Sequence, residues 1–339
     1  AISPILGLSE EKVAEKASQR GKSSVTLKRQ VSRETADQLR QLKQSKDAET
    51  AAAASALLFD EDVRRVYLRG AFLTQTLGLV NVDGVGQSGL EQQYETLLRG
   101  EAGRSMRSVD GKARPIYDSG NLYIEPQDGS TIRLTIDATI QEIVEKAMRE
   151  CYEVNKAQAV HALVMDVYTG AVLAMCSKPD YDPNDPPRDQ PDALTRLMRI
   201  RLISDSYEPG STFKILTASA ALDSGATTPE DSFYCSAKIT VDGDTIRCWG
   251  QPHGAETMAE GLQNSCNPVF VELALRMGTD TFYRYLTAFG LGKTTGIDLP
   301  GESAGLLIGS RYVKNVDLAR IGFGQSVAVT PLQLMMAAN

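Results

Sequence analysis

The sequence predicts an α+β protein with two regions, and three observations carry that prediction. Residues 1–130 are polar and modular, residues 160–177 form two apolar runs around a Tyr-Thr-Gly turn, and long helical patterns open at Asp137 and Ser211. At 339 residues and 42% hydrophobic content, the chain has the length for two domains and for a sizeable core. The second region starts at residue 131 and runs to 339.

The first region opens with SEEKVAEKASQ and then SRETADQLRQLK, short amphipathic helices that Ser9 and Ser32 can cap. Residues 43–56 are alanine-rich with a thin apolar face, which predicts weak packing. The segment 76–103 reads as strand, glycine turn, helix and second turn, with Gly84, Gly86 and Gly89 crowding the first turn. It departs from GxGxxG, lacks a Walker lysine and has no βαβ context, so a turn is favoured over a phosphate loop. TIRLTID alternates like a strand. Asp137 can then cap a helix whose Ile140, Val144, Ala147, Met148 and Cys151 share one face.

Residues 160–177 read as an antiparallel hairpin, with His161 placed structurally in its first strand. The proline-rich residues 178–192 predict an irregular surface loop, because proline removes donors and fixes φ. A second hairpin is expected around Val241-Asp242-Gly243-Asp244, and a helix after Ser265-Cys266-Asn267-Pro268. VTPLQLMMAAN is an apolar helical pattern without an exit signal.

Composition excludes several functions. A net charge of −7 without a dense Lys/Arg run argues against a nucleic-acid partner. No run of about 18 apolar residues occurs, and AISPILGLSE lacks the layout of a signal peptide, although an upstream anchor fits the same facts. The five cysteines Cys151, Cys176, Cys235, Cys248 and Cys266 are odd in number and lack CxxC spacing. Neither a zinc site nor a disulfide framework is predicted from them, and with only His161 and His253 a histidine-rich metal centre is not expected either.

The stretch YEPGSTFKIL carries the chemistry. STFKILTASAALD is apolar nearly all round, which predicts a central buried helix, and Ser211 and Lys214 lie three residues apart on one face of its first turn. A serine needs a base, and a desolvated lysine can serve without histidine. The helix N-terminus adds N–H groups suited to an acyl oxyanion. Ser9-Glu10-Glu11-Lys12 has the same spacing among charges and reads as surface. The second element is Ser265-Cys266-Asn267: its serine can relay protons and its amide can bind a substrate carbonyl. Ser119-Gly120-Asn121 matches that pattern by chance.

The phrases YEPGSTFK, NSCNPVF, GIDLPGE and GFGQSVAVTPLQL resemble the transpeptidase domain of class B penicillin-binding proteins. RGAFLTQTLGLVN and GLEQQYETLLRGEAG resemble their dimerisation, or pedestal, domain. The resemblance covers nearly the whole chain. It implies a pedestal domain over residues 1–130, then a serine β-lactamase-like domain over 131–339, an antiparallel sheet with helices on both faces. Ser211 would be the acylated nucleophile, Lys214 its base, and Ser265 and Asn267 a second wall.

The implied reaction is transpeptidation of D-Ala-D-Ala stem peptides of peptidoglycan, with β-lactams acylating the same serine and no cofactor. The implied setting is the outer face of the cytoplasmic membrane, held by an N-terminal anchor outside this chain. A membrane glycosyltransferase partner and a homodimer are also implied, in elongation, division or sporulation. The family's third motif, KTG, should lie about a hundred residues beyond Ser265, past residue 339, so the expected transpeptidase domain is incomplete. Lys293-Thr294-Thr295-Gly296 belongs instead to the loop GLGKTTGIDLPGE.

Two other readings remain: a β-lactam sensor or a non-catalytic cell-wall scaffold of the same fold. A Ser-His-Asp hydrolase would need a GxSxG elbow that Ser211 lacks. Finally, Cys248 and Cys266 lie 18 residues apart, and a disulfide between them would draw the Ser265 loop away from Ser211, with Cys235 as another partner. Two unpaired small hydrophobes are the simpler reading.

Overall fold

The computed structural model describes residues 1–19, 21–106 and 122–339, so the Ser119-Gly120-Asn121 match lies outside the described residues. The described residues divide into two compact units: Ala1–Leu68 with Val80–Val85, and Arg69–Leu79 with Gly86–Asn339.

In the smaller unit the two capped helices form as expected. Helix α1 (Glu10–Ala17) begins where Ser9 Oγ accepts from Lys12 N at 3.3 Å, and α2 (Arg33–Gln41) where Ser32 Oγ accepts from Thr35 N at 3.1 Å. Helix α3 (Ala48–Ser55) buries only Ala54, in keeping with its thin apolar face. Ser9 and Lys12 are both exposed, so this Ser-Lys spacing stays a surface feature.

The larger unit corrects the strand expected near residue 76. Thr74–Leu77 is a single helical turn, and the following glycines serve backbone packing. A Cβ on Gly86 would lie 1.9 Å from Glu91 O, and one on Gly89 would lie 2.5 Å from Thr76 O. TIRLTID keeps its alternating exposure but forms no ladder; it runs beside a later strand, with Asp137 N donating to Leu173 O at 2.9 Å. Asp137 Oδ1 then caps α4 (Ala138–Asn155) through Thr139 N and Ile140 N. The predicted face is half-buried at Ile140, Val144, Met148 and Cys151, but Ala147 is exposed, and the fully buried residues are Gln141 and Glu145.

Strands β1 (Val160–Met165) and β2 (Val172–Lys178) form the expected antiparallel hairpin, with His161 Nδ1 sharing a hydrogen bond with Ser177 Oγ at 2.9 Å. Residues 179–190 are irregular, yet Tyr181 and Pro183 are buried, so the loop is not wholly surface. A short 3₁₀ turn, Gly210–Phe213, feeds α5 (Lys214–Asp223). Strands β3 (Ser232–Cys235), β4 (Lys238–Val241), β5 (Asp244–Arg247) and β6 (Gly254–Thr257) follow. β4 pairs with β5 across Asp242-Gly243, both at positive φ as a tight hairpin turn requires, and β3 pairs with β6. Every ladder among the described residues is antiparallel and two-stranded.

Helix α6 (Met258–Gln263) opens with a Thr257/Glu260 capping box, and α7 (Asn267–Ala288) carries Pro268 in its first turn. A Cβ on Gly261 would meet the Val269 side chain at 2.9 Å, so glycine lets α6 lie against α7. The core beneath them gathers Phe213, Leu216, Phe270, Leu273, Phe282 and Leu318. Helix α8 (Pro331–Ala338) occupies the apolar pattern at the end.

Candidate active site

Ser211 lies in the 3₁₀ turn ahead of α5, one turn earlier than the α-helix proper, and it is exposed. Its segment is fixed by the strip of residues 324–329, to which no local sequence pattern assigns a role. Gly210 N donates to Gly324 O at 2.9 Å, Ser326 N donates to Glu208 Oε1 at 2.8 Å, and Tyr207 bridges Val329. A Cβ on Gly324, whose φ is 80°, would stand 2.1 Å from Gly210 O. Glycine is therefore needed for the strip to reach Ser211's turn. The helix is less enclosed than its composition predicts: Ile215 and Leu222 stand 54% and 40% exposed.

Lys214 is 1% exposed, and its bonds run to the second motif. Nζ donates to Ser265 O at 2.6 Å, to Ser265 Oγ at 3.0 Å and to Asn267 Oδ1 at 2.7 Å, with the Phe270 ring centroid 5.4 Å away. None of its hydrogen bonds among the described residues reaches Ser211, although the spacing on one helical face led to that expectation. Spacing of i and i+3 sets neighbouring Cα positions, whereas the acceptors decide where a long flexible side chain ends. Burial lowers the Lys214 pKa to about 8, against a smaller upward pull from the Cys248 and Cys266 thiols.

The second motif is shaped by a helix ending. Ser265 N donates to Leu262 O at 3.0 Å and Cys266 N to Gly261 O at 2.8 Å, with Ser265 at φ 51°. This is a Schellman closure of α6 with serine in the left-handed position usually held by glycine. It turns both oxygens of Ser265 onto Lys214. Asn267 is the first residue of α7 rather than a loop residue, and its Nδ2 donates to Arg247 O at 3.0 Å while Oδ1 accepts from Lys214. One of its two N–H groups remains for another acceptor. Lys293-Thr294-Thr295-Gly296 lies elsewhere, in a loop where Thr295 N and Gly296 N donate to Glu302.

Sequence spacing also missed a cluster behind this wall. The ligand atoms of Cys235, Cys248, His253 and Cys266 all lie within 4.8 Å of one another, although no CxxC pair announces them. All five cysteines are free thiols, so Cys248 and Cys266 are not joined. Burial pushes the Cys266 thiol well above its usual range; burial of Cys235 acts the same way, but N–H groups of His253 and Ala237 outweigh it and hold that thiol low.

A family model described as the penicillin binding protein transpeptidase domain matches residues 160–339, and one described as the penicillin-binding protein dimerisation domain matches residues 1–134. The chain is 36% identical over 342 positions to stage V sporulation protein D of Bacillus subtilis, covering 100% of this chain and 51% of that protein. It is 31% identical over 310 positions to peptidoglycan D,D-transpeptidase FtsI of Escherichia coli K12, covering 91% of this chain and 50% of that one. It thus spans about half the length of the curated relatives it matches. Among solved structures, a peptidoglycan synthetase from Bifidobacterium adolescentis superposes with a TM-score of 0.74 at 27% identity, covering 99% of this chain and 59% of that one.

Proposed function

Because the chain belongs to the penicillin-binding protein transpeptidase family, in the class B form with a dimerisation domain ahead of the transpeptidase domain, we propose that it is the nucleophile-bearing part of a peptidoglycan D,D-transpeptidase. The single observation that carries the reading is the buried amine of Lys214, bonded to Ser265 and Asn267 one helical turn from exposed Ser211. In this reading the dimerisation region covers residues 1–130 and the transpeptidase region 131–339.

The chemistry follows from the donors. As an ammonium, Lys214 spends all three N–H groups on Ser265 and Asn267; as a neutral amine it keeps two and gains a lone pair. Turned toward Ser211, that lone pair takes the hydroxyl proton while Oγ attacks the carbonyl carbon of the penultimate D-Ala of a stem peptide. The C–N bond then breaks, and the terminal D-Ala leaves with a proton relayed from Lys214 through Ser265 Oγ. An amine of a neighbouring stem peptide attacks the Ser211 ester and loses a proton to Lys214; the ester C–O bond breaks, Lys214 returns the proton to Ser211 Oγ, and the cross-link is complete. Asn267 Nδ2 binds a substrate carbonyl with its remaining N–H. A β-lactam enters by the same first step, its ring C–N bond opening on Ser211.

The setting that goes with this reading is the outer face of the cytoplasmic membrane, in company with a membrane glycosyltransferase and with a second copy of the chain. Among the described residues, no helix is long and apolar enough to cross a membrane. Elongation, septation and sporulation stand as alternative roles, and a β-lactam sensor or non-catalytic scaffold is the second reading. Labelling with a fluorescent penicillin tests the assignment: wild type should take the label, and Ser211→Ala should not. Equal labelling of both would sink the nucleophile, and labelling of neither would point to a site that needs the KTG wall or to a scaffold.

A further inference from the structure

We propose that Cys235, Cys248, His253 and Cys266 form a closed structural site for one thiophilic divalent metal ion, zinc by its chemistry, which ties the Ser265-Asn267 wall to the neighbouring strands. The four ligands come from four separate places in the fold. Cys235 ends β3, Cys248 follows β5, His253 precedes β6, and Cys266 caps α7. Their spacings of 13, 5 and 13 positions match no short zinc pattern, but β3 pairs with β6 and α7 packs against β3 and β5. The fold gathers what the sequence scatters.

The geometry and donor set suit zinc. Zn–S bonds of about 2.3 Å in a tetrahedron place sulfurs about 3.8 Å apart. The four ligand atoms here already lie within 4.8 Å of one another, so a small inward movement completes the shell. Three thiolates and one imidazole fill all four positions, leaving none for water, which is the mark of a structural rather than a catalytic centre. Soft sulfur donors favour zinc over magnesium or calcium.

Two further atoms point the same way. His253 Nδ1 and Glu256 Oε1 are buried without hydrogen-bond partners, 3.7 Å apart. Ligating histidines commonly give their second ring N–H to a carboxylate, and Glu256 stands where such a carboxylate would. A disulfide would use only two of the three thiols and leave the third and the imidazole unexplained. Metal binding uses all four: the ion displaces three thiol protons to solvent, with no change of oxidation state.

The consequence concerns the wall itself, and this part rests on the function proposed above. Cys266 lies between Ser265 and Asn267, so an ion on its sulfur fixes the backbone from which both Lys214 acceptors hang.

The test uses the whole chain purified under reducing conditions with zinc present, then dialysed. Elemental analysis should return one zinc per chain. A chromophoric chelator should release the zinc together with three newly reactive thiols. Cobalt in its place should show thiolate charge-transfer bands and the strong visible bands of a tetrahedral ion. Cys235→Ser, Cys248→Ser and Cys266→Ser should each lose zinc affinity by more than the roughly 10–100-fold typical of outer partners. Cys151→Ser should keep full occupancy. Wild-type protein that binds no zinc while its thiols titrate freely, or whose intact mass and thiol count reveal a disulfide within the cluster, overturns the proposal. The chelator release needs only wild-type protein, so poor folding of the serine variants leaves the test decisive. None of these readouts depends on penicillin labelling, so failure of the metal site and failure of the transpeptidase reading remain separable.

Discussion

Two lysines of the larger unit are buried to almost the same degree, and their surroundings give them opposite characters. Lys178, 3% exposed at the end of β2, donates to Glu145 Oε2 at 2.8 Å and to Asp180. Glu145 is itself held by Leu73 N and Gln141 Nε2, each at 3.0 Å. Burial alone would lower the Lys178 pKa, but the two carboxylates outweigh it and raise it. Lys214 meets only neutral acceptors, and burial wins, lowering it to about 8. A buried lysine with carboxylate partners is a permanent cation that ties α4 to β2; one with carbonyl, hydroxyl and amide partners is a base in waiting.

Replacement of each lysine should break the comparison in a different observable. Lys214→Met removes the proposed base and should slow penicillin acylation roughly 10²- to 10⁴-fold in stopped-flow labelling. Lys178→Met leaves two carboxylates without their cation, and urea unfolding should show a loss of about 3–5 kcal/mol. The surviving folded fraction should label at the wild-type rate. Equal stability losses for both variants would erase the distinction between the two lysines.

A pH series sharpens the contrast. The proposed base must be neutral to act, so labelling should fall about tenfold per pH unit below 8 and level off above it. For stability the signs differ. The folded pKa of Lys214 lies below its unfolded value of about 10.4, so the fold disfavours the charged form. Stability should therefore rise between pH 8 and roughly 10.4, by on the order of 3 kcal/mol, and Lys214→Met should lack that rise. Glu145 has a lowered pKa, so its contribution holds above its unfolded value and is lost as pH falls through the folded one. Lys178 has a raised pKa, so its contribution persists until pH climbs through that folded value. Urea midpoints across this range separate the two.

The smallest expected effect concerns Ser265. Its left-handed backbone should tolerate Ser265→Gly with a melting point at or slightly above wild type, while labelling slows for want of Oγ. Ser265→Thr keeps a hydroxyl but places a β-branched residue at φ 51°, which should cost about 1–2 kcal/mol.

Local rules explain what the sequence made legible. Ser9, Ser32 and Asp137 act as caps because capping needs only a side-chain oxygen and the next turn's N–H groups. The hairpins at β1–β2 and β4–β5 follow from alternation and turn residues. The Ser211–Lys214 pairing was legible as spacing but not as contact, since the lysine's end point depends on acceptors 51 and 53 residues away. The Gly324–Ser326 strip and the Cys235–Cys266 cluster escaped for the same reason: tertiary pairing brings them together, and no local pattern encodes it. The strand expected near residue 76 is instead the helical turn Thr74–Leu77, and Gly78 and Gly89 there admit close backbone neighbours that no pattern of side chains announces.

The Schellman closure at Ser265 also limits how this site can vary under selection. A wall built on an extended strand accepts many side chains, because the backbone is indifferent to them. Here the same residue must end a helix, hold a left-handed turn and face a lysine. Most replacements are disfavoured by backbone strain before their chemistry is ever tried, and glycine, which relieves the strain, discards the hydroxyl. Substitutions should therefore be tolerated more readily at exposed residues such as Trp249 than at Ser265 itself.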